Sequence, residues 1–214
     1  MKNVKMTMII TGLVCLIPII AGIILWDKMP DSIPIHWDAH GNVNGYGSKF
    51  TALLILPGSM FILDLLMPWL LKMDPKYKNM SPALVTISIW TIPVLSLLCS
   101  GLTLIAAMGI DVAIEIIIPA FVGVLFILIG NYLPKTKQSY TMGIKLPWTL
   151  DNEENWNKTH RLAGYIWVAG GIITVLSALF GMKMWLLIIV LAVMVFAPAI
   201  YSYTLYVKSK GENK

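Results

Sequence analysis

Charge is what this chain has least of. Only 13% of its 214 residues are Asp, Glu, Lys or Arg, against 57% that are hydrophobic. A soluble domain carries about 25% charged residues. Halving that share leaves too little polar surface to cover a water-soluble globule, so the composition excludes one and asks for a bilayer. Cysteine is nearly absent too. Cys15 and Cys99 lie in separate apolar runs, which excludes a disulfide framework and leaves buried thiols. Histidine is limited to His36, His40 and His160. No nucleophile, second carboxylate or metal set is spaced to assist any of them, so a membrane enzyme is the least supported class. No catalytic residue, metal or cofactor is expected. An internal repeat is also missing, and with it the inverted halves of many transporters.

Long apolar runs, by contrast, fill the chain. Crossing a hydrocarbon core ~30 Å thick takes about 20 helical residues. Six segments qualify, near Thr7–Trp26, Phe50–Leu71, Ala83–Met108, Val112–Leu133, Gly164–Gly181 and Met184–Val207. The first follows Lys2 and Lys5 like a signal peptide. It stays apolar too long for one and lacks a small-x-small cleavage site, so it reads as a retained signal anchor. With both termini inside, Lys28, Lys49 and Lys183 are the only three of the 16 Lys and Arg left outside. Acidic residues divide evenly, with Asp64 in a span. That bias in cations alone is the positive-inside pattern, so the +5 net charge serves orientation and no direct nucleic-acid binding is expected.

The expected fold is an all-α membrane protein, a six-transmembrane-helix bundle forming one integral membrane domain over residues 1–214. It would carry an ordered extracytoplasmic loop at 27–49 and a long cytoplasmic loop at 134–163. Gly109-Ile110-Asp111 and Gly181-Met182-Lys183 are tight connections that pair consecutive helices. Pro18, Pro57, Pro68, Pro93, Pro119 and Pro198 fall within spans, where neighbouring helices tolerate a kink.

In the outer loop, Pro30 and Pro34 stop helix and hold extended backbone. Ala39-His-Gly-Asn42 and Val43-Asn-Gly-Tyr46 are turn sequences. Ile33, Ile35, Trp37 and Tyr46 give the loop something to bury, which predicts a compact cap. His36, Asp38 and His40 invite a metal reading, but a zinc site wants three or four converging ligands. Loop hydrogen bonding accounts for them more simply.

In the inner loop, Pro134 ends the fourth helix, and Lys135, Lys137 and Lys145 suit anionic headgroups. Asp151 and Glu154 are spaced as N-cap and N3 of a short helix starting near Asn152. Trp156 and His160 then share one face. That helix lies flat on the inner leaflet or docks a partner, and Arg161 snorkels at the mouth of the fifth span. Asp64 is the one acid inside a span, where a carboxylate is costly unless paired or protonated. Its partner is Lys72 or a neighbouring helix. Asp111 and Glu115 suit the start of the fourth helix.

Laid out this way, the chain resembles the SdpI family of bacterial membrane immunity proteins. The outer loop is similar to the DUF1648 pattern through Ile33-Pro34, His36-Trp37, Gly41, Gly45-Tyr46 and Ser48-Lys49. The inner stretch is similar to the family's own motif through Gly130-Asn131, Lys135, Lys137, Gly143-Ile144-Lys145, Pro147-Trp148-Thr149-Leu150, Trp156, Thr159-His160-Arg161 and Gly164. Lys145 stands where the family often has Arg, which keeps the charge and loses the bidentate fork. The resemblance implies a multi-pass cell-membrane protein that protects its cell from a secreted, membrane-active peptide of the sporulation-delaying type. It further implies a signalling role, in which the peptide-engaged protein holds a soluble repressor at the membrane. Its partners would be the lipid bilayer, the peptide and that regulator. A small proton-coupled transporter using Asp64 is the competing class.

Overall fold

The computed structural model of the protein describes residues 4–181 and 184–212. Lys2, Lys214 and the Met182-Lys183 part of the last tight connection lie outside the described residues. The elements run in order: α1 (Val4–Ile24), β1 (Ser32–Trp37), β2 (Val43–Ser48) and α2 (Leu56–Lys72). Then come α3 (Pro82–Ala107), α4 (Ile114–Tyr132), a short α5 (Pro147–Asp151), α6 (Glu153–Leu179) and α7 (Met184–Glu212). A wider, π-type turn over Thr51–Ile55 leads into α2. Among the described residues six helices are long and apolar enough to cross a membrane. This is the all-helical membrane fold the apolar runs demand, with one small two-stranded sheet added.

Two differences from expectation have local causes. Val43–Tyr46 is not a turn; it lies in β2, and the hairpin reverses only at Asp38–Asn42. There Gly41 takes a φ of +80°, a conformation open to glycine without a Cβ penalty. Gly45 and Gly47 serve closeness instead, since a Cβ would meet His36 and Ile35 of β1 at 2.9 Å. The second difference concerns the fifth span. The helix expected to start near Asn152 is not separate from that span, because α6 is continuous from Glu153 to Leu179 and starts about three turns before Gly164, with only the five-residue α5 ahead of it. Its N-cap is Asn152, whose side chain accepts from the Asn155 amide at 2.9 Å; Asp151 closes α5 instead.

The helices form two compact units, Met1–Leu70 with Thr86–Glu115, and Leu71–Val85 with Ile116–Lys214. In the first, buried Met29, Ile33, Ala52, Leu53 and Leu104 pack with Ala21, Leu25, Trp26, Ile35 and Ala107. These residues join β1 to the C-terminal ends of α1 and α3 and to the turn that opens α2. Burying Ile33 fully contributes about 1.5–3 kcal/mol and seats the hairpin on those three helix ends.

In the second unit, α4 and α6 meet along glycines. A Cβ on Gly123 would lie 2.8 Å from the Gly171 carbonyl oxygen, and one on Gly130 would lie 3.0 Å from that of Gly164. Both pairs repeat at seven residues and run antiparallel, so two backbones touch where any side chain would hold them apart. Trp167 of α6 fixes the flanks, edge-on to Phe126 at 5.5 Å and donating to the Met194 carbonyl of α7 at 3.1 Å. The expected pairing of the fifth and sixth spans is thus present.

Candidate functional site

Outside the spans, polar side chains gather in two places. The first is the hairpin cap. Asp38 organises its turn, accepting from the amides of His40 at 2.8 Å and Asn42 at 2.9 Å and from the Asn42 side chain at 3.2 Å. Hydrogen bonds from the Asn42 and then the His40 amide hold its carboxyl below the usual carboxylate range. His36 is exposed and pairs through Nδ1 with Asn44 Oδ1. These bonds engage the side chains of His36 and Asp38, His40 joining through its backbone amide, and among the described residues no group of three or more His, Cys, Asp or Glu converges.

Trp37 is half-buried opposite Val43. Tyr46 stands 62% exposed on β2. Lys49 ties the cap to its base, 3.4 Å from Asp31 and over the Trp26 ring at 5.7 Å. Glu115 does more than cap α4, because its carboxylate occupies the space where Gly41 would carry a Cβ. Glycine is therefore required there twice, for φ and for that contact.

The second gathering is the inner loop, folded onto α6, α7 and the 72–82 connection. Trp156 and His160, one turn apart on α6, are both fully buried and stack at 3.9 Å. Trp156 donates to the Thr136 carbonyl at 2.6 Å. His160 Nδ1 lies 2.8 Å from the Trp156 carbonyl, and the Ile144 amide donates to Nε2 at 2.9 Å. A carbonyl only accepts and an amide N–H only donates, so His160 is the neutral Nδ1–H tautomer with both nitrogens in use. Gly143, at φ +109°, passes over the two rings where a Cβ would collide with each. Trp156 is thus a core residue, not a headgroup-level anchor, because the loop folds over it.

Around these rings the remaining polar groups are paired. Thr149 accepts from the Leu146 amide and its hydroxyl reaches the Ile144 carbonyl at 2.8 Å, closing the turn that Pro147 starts. Trp148 donates to Ser202 at 2.7 Å and packs against both Tyr203 and Tyr206 of α7. Ser202 in turn donates to Asn155 at 2.7 Å, and Asn155 donates back to the Ser202 carbonyl. Asp74, buried, accepts from the amides of Lys76, Tyr140 and Thr141 at 2.7–2.8 Å. Gln138 bridges Lys76 to the Thr149 carbonyl. Asn131, Lys137, Lys145, Pro147 and Arg161 are exposed around this cluster, and Lys145 donates to the Thr141 carbonyl at 3.3 Å.

Asp74, Gln138, Asn155 and Ser202 were not singled out from sequence. Asp74-Pro75 is a turn signal that marks the first, but nothing local marks the others. Asp64 is 2% exposed and hydrogen-bonds Thr11 of α1, so the neighbouring helix, not Lys72, supplies its partner. Its Oδ1 has no hydrogen-bond partner among the described residues.

Six apolar helices with a folded polar structure in each unit define a multi-pass integral membrane protein. Residues 135–202 match the SdpI/YfhL protein family, and residues 13–61 match the domain of unknown function DUF1648. The Immunity protein SdpI of Bacillus subtilis (strain 168) is 30% identical over 213 residues, spanning 96% of this chain and 98% of that protein. This chain belongs to the SdpI family. No solved structure matches it.

Proposed function

We propose that this membrane protein makes its own cell immune to a secreted, membrane-active peptide of the sporulation-delaying type, and that it acts by binding, without chemistry. The observation that carries the reading is its near full-length similarity to Immunity protein SdpI. The shape of the two polar structures supports it. The cap is ordered, exposed and seated on helix ends, which suits interception of a ligand outside the bilayer. His160 has no free nitrogen to act as a base, which argues against catalysis at the inner cluster. In this reading residues 27–49 face outward, and both termini with residues 134–163 face the cytoplasm. Lys137, Lys145 and Arg161 then present exposed positive charge to a soluble repressor held at the membrane.

The test is survival of a peptide-sensitive bacterium expressing the chain, with alanine at His36, Trp37, Trp148 or Trp156 as companions and membrane accumulation checked for each. Wild type raises survival and the cap variants lower it; no rise with wild type defeats the proposal. In the same strains, charge reversal at Lys137 and Lys145 should free the repressor from the membrane fraction, and unchanged partition removes that role. Proton-coupled transport keeps one supporting observation, the unpartnered oxygen of Asp64. Asp64→Asn belongs in the same assay, where intact protection without flux through wild type removes the transport reading.

A further inference from the structure

The two edges of the hairpin are not equivalent. The Lys49 amide donates to the Asp31 carbonyl at 3.1 Å, which makes 31 and 49 a hydrogen-bonded pair. Alternation along an antiparallel ladder makes Ile33–Gly47 the next bonded pair. Ser32–Ser48 and Pro34–Tyr46 are then the non-bonded pairs, whose backbone groups point away from the partner strand. On β1 that outward edge carries Pro34, which has no N–H to offer, and Pro30 lies just before the strand. Proline at such a position blunts an edge against further pairing.

On β2 the outward edge carries the N–H and C=O of Tyr46 and, two residues on, the N–H of Ser48, with no proline. No backbone hydrogen bond from outside the hairpin reaches Tyr46 among the described residues. Asn44, Tyr46 and Ser48 are all exposed, so solvent reaches this strand.

We propose that β2 is a docking edge, along which an extended segment of the secreted peptide adds as a third strand. The proposal rests on the immunity reading and specifies how the cap would hold its ligand. Backbone pairing supplies the register, as in other strand-addition complexes. The surroundings select the segment. Asp27, Asp31, Asp38, Asp111 and Glu115 outnumber Lys28 and Lys49 among the described charges on this side of the unit, which favours a neutral or basic strand over an acidic one. Exposed Tyr46 offers apolar surface on the same strand.

The experiment uses the full chain in lipid nanodiscs, with the sporulation-delaying killing peptide, synthesised with ¹³C carbonyls, as probe. Tyr46→Pro deletes the outward N–H while leaving the neighbouring ladder pairs; Tyr46→Ala keeps the N–H and deletes the ring. Tyr46→Ala is expected to bind within about threefold of wild type, and Tyr46→Pro about tenfold or more weaker. Bound peptide should show its labelled carbonyls in the infrared band of paired strands, a readout on wild type that needs no variant to fold. Equal binding by Tyr46→Pro and wild type overturns the docking edge, and so does a helical carbonyl band; either leaves immunity standing if wild type still protects cells. Cells that die with wild type as they do without it defeat immunity and this inference together.

Discussion

Asp74 shows how one side chain holds a whole loop. It lies in the short 72–82 connection, yet two of its three amide donors, Tyr140 and Thr141, come from more than sixty residues away. Burial alone would raise its pKa, but the hydrogen bonds from Lys76, Thr141 and Tyr140 outweigh burial and hold the carboxyl below the usual range. A depressed carboxyl pKa stabilises the fold above the unfolded value of about 3.9 and loses that contribution as pH falls through the lower folded value. In detergent, wild-type protein should therefore keep residues 134–152 resistant to protease near neutral pH and release them only in acid, below about pH 4. Asp74→Asn should show that release already at pH 7, with a cost of about 1–3 kcal/mol. Equal resistance of the two proteins at pH 7 would show that Asp74 does not hold the loop.

The pair α4 and α6 carries the argument at the scale of elements. Lipid tails are as apolar as the helices, so close backbone packing has to stand in for a hydrophobic drive. Gly123 and Gly130 against Gly171 and Gly164 provide it. Gly130→Val or Gly171→Val should cost about 3 kcal/mol or more, because the neighbour is backbone and cannot step aside. Gly58 of α2 is the contrast, since a Cβ there would meet nothing within 4 Å. Gly58→Ala should be neutral or stabilising by up to about 1 kcal/mol through helix propensity. Thermal aggregation in detergent measures all three, and a tolerated Gly130→Val would mean the seam opens at little cost.

For the whole molecule the question is which way it faces. In the topology proposed above, which the cation bias supports, the cap lies outside and the inner cluster in the cytoplasm. With Cys15 and Cys99 both changed to Ser, Asn44→Cys and Lys145→Cys put one thiol at an exposed position in each structure. A membrane-impermeant maleimide applied to intact cells should label the first, and the second only after lysis. Labelling of both positions, or of neither, in intact cells would break the topology.

Composition and patterning by themselves determined the class, the six spans and the two longest polar stretches between them, because the hydrocarbon core penalises charge whatever the helices touch. They also marked Gly41, whose turn needs glycine. Tertiary structure decided the rest. It made Val43–Tyr46 a strand by pairing it with β1, and it sank Trp156 and His160 beneath a loop that sequence leaves as polar as a free one. It gave Asp74, Gln138, Asn155 and Ser202 their roles, since each is bonded to residues far along the chain. Such contacts have no local period or spacing to betray them, and only folding brings the donors within reach.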